Sequence, residues 1–266
     1  MSSDRPGQGD DVLLRERHGA VLVALLNRPR KGNSLSHSLI AALDDLATDL
    51  ARAAWDPDGA RALVLAGAGG KAFSAGADVH DLDGVSAATA REQMRRGQQV
   101  FDRIEQLPMV VVAAVSGYAV GGGLELAMAA DLRVASPTAR FGQPEITLEN
   151  LPGWGGTQRL PRLVGLGRAA ELILTGELID AQRAYEIGLV NRVEADPLQA
   201  AITLAAGIAA RSAVAVAGAK RAMHAGLDGG LRAGLEVEAD AVAACCETPA
   251  QRAAVQAFLN RRKADS

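Results

Sequence analysis

Hydrophobic and polar positions change rhythm along this chain. Val12–Arg17 and Ala20–Leu26 read as two strands around His18–Gly19, a hairpin signal. Ser34 or Ser36 can cap a helix running to about Arg52, with Leu39, Ala42, Leu43, Leu46 and Leu50 at helical spacing. Ala62–Ala66 has the length of a buried strand and is broken by Gly67, Gly69 and Gly70. Residues 87–107 have the charged, amphipathic pattern of a helix that ends before Pro108. Met109–Val115 reads as the next strand, followed by a glycine-rich turn, a short apolar helix from about Gly122 to Ala130, and a strand at Asp131–Ala135. Strand, turn, helix and strand in succession predict an α/β domain with parallel strands.

Beyond about residue 157 the rhythm is helical. Alanine-rich amphipathic segments occupy roughly 168–175, 180–187, 197–210, 212–225, 229–245 and 248–262, with no strong strand and no repeat of fixed length. The division predicted is an α/β core over 1–195 and a helical region over 196–266 that either covers the core or serves assembly.

Composition narrows the class. The 266 residues make room for one large domain or two small ones. An apolar fraction of 48% and a charged fraction of 22% exclude disorder, collagen-like repeats and small disulfide scaffolds. The net charge of −3 provides no general basic field for nucleic acid or anionic lipid, so an anionic ligand must be held by local groups. Cys245 and Cys246 are adjacent, which suits neither a zinc site nor a redox pair and predicts two reduced thiols. The opening MSSDRPGQGDD carries no address signal, and the uncharged stretch from Gln106 to Leu124 is interrupted by Pro108, Gly117 and Gly121–Gly123. A buried strand and turn fit it better than a membrane span, and the chain is expected in the cytoplasm.

Several sites fail on spacing. LAGAGGKAFSAGAD (65–78) lacks the glycine order of a phosphate loop, and Ala114 and Tyr118 flank Ser116 where a nucleophile elbow needs glycines. His18, His37, His80 and His224 have no metal-ligand spacing; Asp78, His80, Asp81 and Asp83 read as a polar loop, and no metal is expected. What remains is two turns, Ala75–Gly76–Ala77 and Gly121–Gly122–Gly123, that can present free N–H groups, together with two acids. Glu125 lies in an otherwise apolar helix and Glu145 follows a short strand and a proline. An acid in an apolar face is costly unless it is paired, exposed or functional, and two acids at one site push at least one pKa upward. Taken singly, each turn and each acid also fits an ordinary turn, a helix cap or a surface charge.

The runs KAFSAGAD (71–78), SGYAVGGGLELAMAADLRVAS (116–136), ARFGQPEITLENLPGWGGTQRLPRLVG (139–165) and AFLNRRK (257–263) closely resemble the enoyl-CoA hydratase/isomerase (crotonase) family. NRPRKGNSL (27–35) and LTGELIDAQRAYEIGLVNRV (174–193) match the same pattern, so the resemblance spans about residues 11 to 263. It implies a crotonase-like spiral of ββα repeats with a C-terminal helical region that builds homotrimers, often paired as hexamers. It implies an acyl-CoA thioester as substrate, no cofactor, and an oxyanion hole made by the N–H groups of Ala77 and Gly122. Glu125 and Glu145 match the two catalytic carboxylates of hydratases, Glu125 for water activation and Glu145 for proton delivery to C2. Coenzyme A contacts are implied for Arg28, Arg30, Lys31, Ala75 and Asp78, and for Phe258 and Arg261 reaching a neighbouring subunit's coenzyme.

The chain departs from the family pattern at three places. Arg261 stands where a lysine is familiar, which keeps the charge but not its hydrogen-bond geometry; a solvated helix end is the other reading. Glu149 replaces a familiar glycine, and Trp154 is bulkier than the small or aliphatic residue many hydratases carry, either reshaping the acyl pocket or packing the core. An isomerase, hydrolase or ring-modifying activity is the alternative within the family. An RNA-binding or non-catalytic role is disfavoured because the helix over 36–52 has Asp44, Asp45 and Asp49, a single Arg52 and no lysine.

Overall fold

The computed structural model describes residues 11–264 apart from Pro57, Val79, His80 and Leu82. The opening ten residues and His80, on which sequence expectations were placed, lie outside the described residues. The elements run β1 (Leu13–His18), β2 (Val21–Leu26), α1 (His37–Ala53), β3 (Ala62–Gly67), β4 (Ala72–Ser74), α2 (Ala87–Glu105), β5 (Val110–Val115), β6 (Tyr118–Val120), α3 (Gly122–Met128), β7 (Leu132–Ala135) and β8 (Arg140–Gly142). They continue with α4 (Gly156–Val164), α5 (Leu166–Thr175), β9 (Ile179–Asp180), α6 (Ala181–Glu186), β10 (Arg192–Val193), α7 (Pro197–Ala209), α8 (Ala213–Gly229), α9 (Leu231–Cys246) and α10 (Pro249–Ala264).

Two sheets organise the core. The larger has the order β1-β2-β3-β5-β7-β10, with β1 antiparallel to β2 and every other pair parallel. The smaller, β4-β6-β8-β9, is parallel except for its last pair. Each strand of the pairs β3/β4, β5/β6 and β7/β8 belongs to a different sheet, so the chain repeatedly leaves the large sheet, adds a rung to the small one, and returns. This is the spiral of ββα turns.

Period-two alternation divides the apolar strands between two cores. Ala62, Val64, Val110, Val112 and Ala114 face one side with Val21 and Val23, where Ala201, Ala205 and Ala209 of α7 cover them. Alanine at every fourth residue lets that helix approach the sheet closely. Leu63, Leu65, Val111, Ala113 and Val115 face the other side and join Leu39, Leu43 and Leu46 of α1 and Val100, Phe101 and Ile104 of α2. A sheet covered on both faces explains why its strands read as unbroken apolar runs. Ser36 and Ser86 cap α1 and α2 through their side-chain oxygens.

Five short elements had no signal in the sequence pattern. The strands β4 and β6 have three residues each, too few to establish a period, while β9 and β10 have two. The helix α4 contains Pro161 and opens after Gly155, whose φ is 112°, so its pattern reads as a loop. The stretch from Gln106 to Leu124 becomes β5, β6 and the start of α3, and no single described helix is long and apolar enough to cross a membrane. Beyond α7, α8 and α9 pack on each other and α10 packs on α9. Lys220 of α8 is buried, bonding to Asp131 Oδ2 at 2.8 Å and to the Met109 carbonyl at 3.2 Å.

The passage from β5 to β6 depends on Gly117, which has a φ of 66° and lies so close to the Lys71 carbonyl that a Cβ would overlap it. Gly117→Ala is therefore expected to cost more than about 2 kcal/mol through backbone strain and loss of the β4–β6 rung. A lowered urea midpoint checks this, and an unchanged midpoint would contradict it.

Candidate active site

The site is built where the small sheet meets α3. Gly121, with φ 53° and ψ −131°, turns the chain out of β6, and α3 opens on Gly122 and Gly123. A Cβ on Gly123 would strike the backbone of Ser74, so only glycine lets α3 seat against β4. One turn in, Glu125 is 1% exposed. Its Oε1 accepts hydrogen bonds from the backbone N–H groups of Trp154 and Gly156, both at 2.7 Å. Burial pushes its pKa up to about 7, the Gly156 N–H pulls it down, and the charge of Glu145 pushes it up again. The second carboxylate oxygen accepts no hydrogen bond from the described residues.

Glu145 lies in a short 3-10 turn, Pro144–Leu148, and is half-buried. Its carboxyl sits over Gly121, where a Cβ would come within 3.1 Å of Oε1, and burial raises its pKa as well. Fully buried Gln143 directs its side-chain amide at it; with the amide turned so that its nitrogen faces the acid, that nitrogen donates at 3.1 and 3.2 Å to the two oxygens and at 3.3 Å to the Gly121 carbonyl. Gln143 escaped the sequence reading, although a buried amide beside an acid in FGQPEI is the kind of residue that needs a partner. Glu149 ends that turn with a φ of 55°, which accounts for the glycine familiar there, and its side chain is exposed.

The turn after β4 lies against the start of α3. Leu35 pairs with Ala77 as a parallel bridge: the Leu35 N–H donates to the Gly76 carbonyl at 2.8 Å and the Asp78 N–H to the Leu35 carbonyl at 3.4 Å. In this geometry the N–H of Ala77 itself points away from Leu35. A Cβ on Gly122 would lie 3.4 Å from the Ala77 nitrogen, and one on Gly76 would lie 3.4 Å from the Gly122 nitrogen. The two backbone donors are thus close neighbours, on turns that leave no space for side chains between them.

Trp154 and Arg159 lock the loop that holds Glu125. The Trp154 ring is 7% exposed and meets Phe101 edge-on, with centroids 5.7 Å apart. Arg159 donates to the Trp154 carbonyl at 3.1 Å, to Asp102 at 2.6 Å and to Glu105 at 2.5 and 3.0 Å. A chain of contacts therefore runs from α2 through Arg159 and the Trp154 backbone to Glu125. Sequence reasoning missed Arg159 because a single arginine in a helical segment resembles a solvated charge.

The candidate coenzyme residues divide into groups. Arg28 is occupied internally, bonding to Ser34 at 2.7 and 2.9 Å and to Asp78 at 3.0 Å, and so ties the loop after β2 to the turn after β4. Arg30 and Lys31 are exposed on the same loop, whose Gly32 carbonyl accepts from the Ala75 N–H at 2.8 Å. Phe258 and Arg261 are exposed on α10. Asp81 pairs with His37 at 3.1 Å, and no group of three His, Cys, Asp or Glu suited to a metal occurs among the described residues. On α1, Asp44 pairs with Arg103 and Asp49 with Arg15, so those acids form part of the surface ion-pairing of the fold.

The raised pKa of Glu125 has a consequence for stability. Between about 4.5 and about 7 the folded chain binds a proton here that the unfolded chain releases, so stability falls as pH rises through that window. Glu125→Gln, which can still accept both backbone bonds, removes this dependence. Relative to the wild type, it is expected to be more stable at pH 8 than at pH 5, read from urea unfolding at both; parallel pH dependences would contradict the assignment.

The chain is similar to known proteins over nearly its whole length. The enoyl-CoA hydratase/isomerase family model matches residues 16–265. A crotonyl-CoA hydratase of Syntrophomonas wolfei is 40% identical over 255 residues, covering 95% of this chain and 96% of that protein. A short-chain-enoyl-CoA hydratase of Clostridium acetobutylicum is 39% identical over 256 residues, covering 96% of each. The crystal structure of an enoyl-CoA hydratase from Bacillus anthracis superposes with a TM-score of 0.88 at 38% identity, covering 94% of this chain and 97% of that one. With agreement of this extent in sequence and in fold, the chain belongs to the enoyl-CoA hydratase/isomerase family.

Proposed function

We infer that the protein hydrates a 2-trans-enoyl-CoA to the 3-hydroxyacyl-CoA. The observation that carries this reading is a buried acid with a pKa about 7, held by two backbone N–H groups and electrostatically coupled to a second acid. Glu125 accepts a proton from water as the water oxygen bonds to C3, and Glu145, whose burial favours its neutral form, donates a proton to C2. Negative charge developing on the thioester oxygen is stabilised by the N–H groups of Ala77 and Gly122, donors aimed where the charge appears. No cofactor enters this scheme, since both protons come from the acids and water. The names of the crotonyl-CoA and short-chain relatives support an enoyl thioester as substrate.

The exposed cations Arg30 and Lys31 suit the phosphates of coenzyme A, while Arg28 and Asp78 brace the loop that carries them, with Ala75 lining the approach. Assembly into trimers or hexamers is supported by the large apolar side chains left exposed on the outer helices, among them Met223, Leu227, Leu231 and Leu235. In such an assembly Phe258 and Arg261 would act on a neighbouring protomer's coenzyme.

Glu125→Gln and Glu145→Gln are each expected to lower turnover of crotonyl-CoA by about two to four orders of magnitude with the fold intact. Mass spectrometry of the product, gaining the mass of one water, identifies hydration; near wild-type rates in both variants would refute the roles. Arg159 is a positioning residue whose charge also lowers the Glu125 pKa. Arg159→Met should move the acidic limb of the kcat profile to higher pH, while Arg159→Lys should restore much of that shift. An unmoved limb would confine Arg159 to a structural role.

A further inference from the structure

The indole of Trp154 fills the space between α2 and α3, beside the turn that carries Ala77. Its Cε3 and Cζ3 edge lies against α3, where a Cβ on Gly122 would be 2.6 Å away. The opposite edge lies against α2, where a Cβ on Gly97 would overlap Cδ1 and Nε1. Phe101 meets the ring from a third direction. Two glycines on two helices are thus complementary to one large side chain. Among the described residues Nε1 has no hydrogen-bond partner, so what the indole supplies here is volume.

The ring is also hard to displace. The Trp154 N–H is committed to Glu125 and its carbonyl to Arg159, so the backbone cannot swing aside without releasing the acid. What is left beside Ala77 is a cavity of about 30 Å³ whose apolar wall is Leu35, Ile40, Met94, Gly97 and Trp154, the rest of its lining being polar side chains such as Gln93 and Arg96. That is space for about one or two waters. It adjoins the very turn whose N–H is assigned to the thioester oxygen.

We propose that Trp154 sets the acyl-chain length, closing the cavity beyond the reacting carbons so that the protein takes short-chain 2-enoyl-CoA thioesters. This deepens the hydratase reading above and rests on it. A long chain has to displace a ring locked between two helices, whereas a four-carbon chain ends before reaching it.

The test is a kcat/KM series for 2-trans-enoyl-CoAs from four to twelve carbons, on the full chain. The wild type is expected to fall by about a hundredfold or more between four and ten carbons. Trp154→Ala is expected to raise the ten-carbon to four-carbon ratio at least about tenfold, Trp154→Phe less, and Met94→Ala to change it in the same direction from the other wall. A wild type that takes both lengths equally, or folded Trp154 variants with an unchanged ratio, would overturn the proposal and leave hydration standing. Should no enoyl-CoA be hydrated, the hydratase reading fails instead. The affinities of butyryl-CoA and decanoyl-CoA by calorimetry then read the cavity without any chemistry: tighter butyryl-CoA, reversed in Trp154→Ala, supports the proposal, and equal affinities refute it.

Discussion

Everything at this site turns on keeping one carboxylate out of water. Burying Glu125 without partners would cost several kcal/mol or force it to remain neutral. Two backbone N–H groups from the 154–156 segment offset that cost without neutralising the acid, and leave its pKa about 7, where it can exchange protons. Backbone donors suit this task because they are dipoles of fixed direction that cannot take the proton themselves.

That single interaction imposes conditions on parts of the chain far apart in sequence. The 154–156 segment must be rigid, and Arg159 makes it so by tying the Trp154 carbonyl to Asp102 and Glu105 of α2. The helix bearing Glu125 must lie close to β4, which Gly123 permits. The turn after β4 must lie close to the start of the same helix, which Gly76 permits with a φ of 96°. The same close approach that seats the acid brings the Ala77 and Gly122 nitrogens together. Acid and donors are consequences of one packing arrangement.

Fold and site were legible to different degrees. The apolar strands Ala62–Ala66 and Met109–Val115 and the capped helix after Ser36 follow from period and length, because both faces of the large sheet are buried and the helix caps are local. The three-residue strands β4 and β6 of the small sheet were not legible, since their pairing is decided by neighbours distant in sequence. Glu125 stood out as an acid in an otherwise apolar helix, and Glu145 as a second acid after a short strand and a proline. Gln143, Gly97 and Arg159 did not, because each matters only through what lies opposite it across the fold.

The sequence alone therefore determined the alternation of buried strands and amphipathic helices, the glycines that free two turns, and the presence of one acid where an acid is costly. These are properties of short windows, and local period, φ preference and solvation suffice to read them. Only the tertiary structure decided that Trp154 stands between Gly97 and Gly122, that Arg28 spends its charge on Asp78, and that Glu125 receives two backbone N–H groups from a loop about thirty residues on. Each of these is a contact between elements brought together by the two sheets, and no periodicity within one element encodes its partner in another.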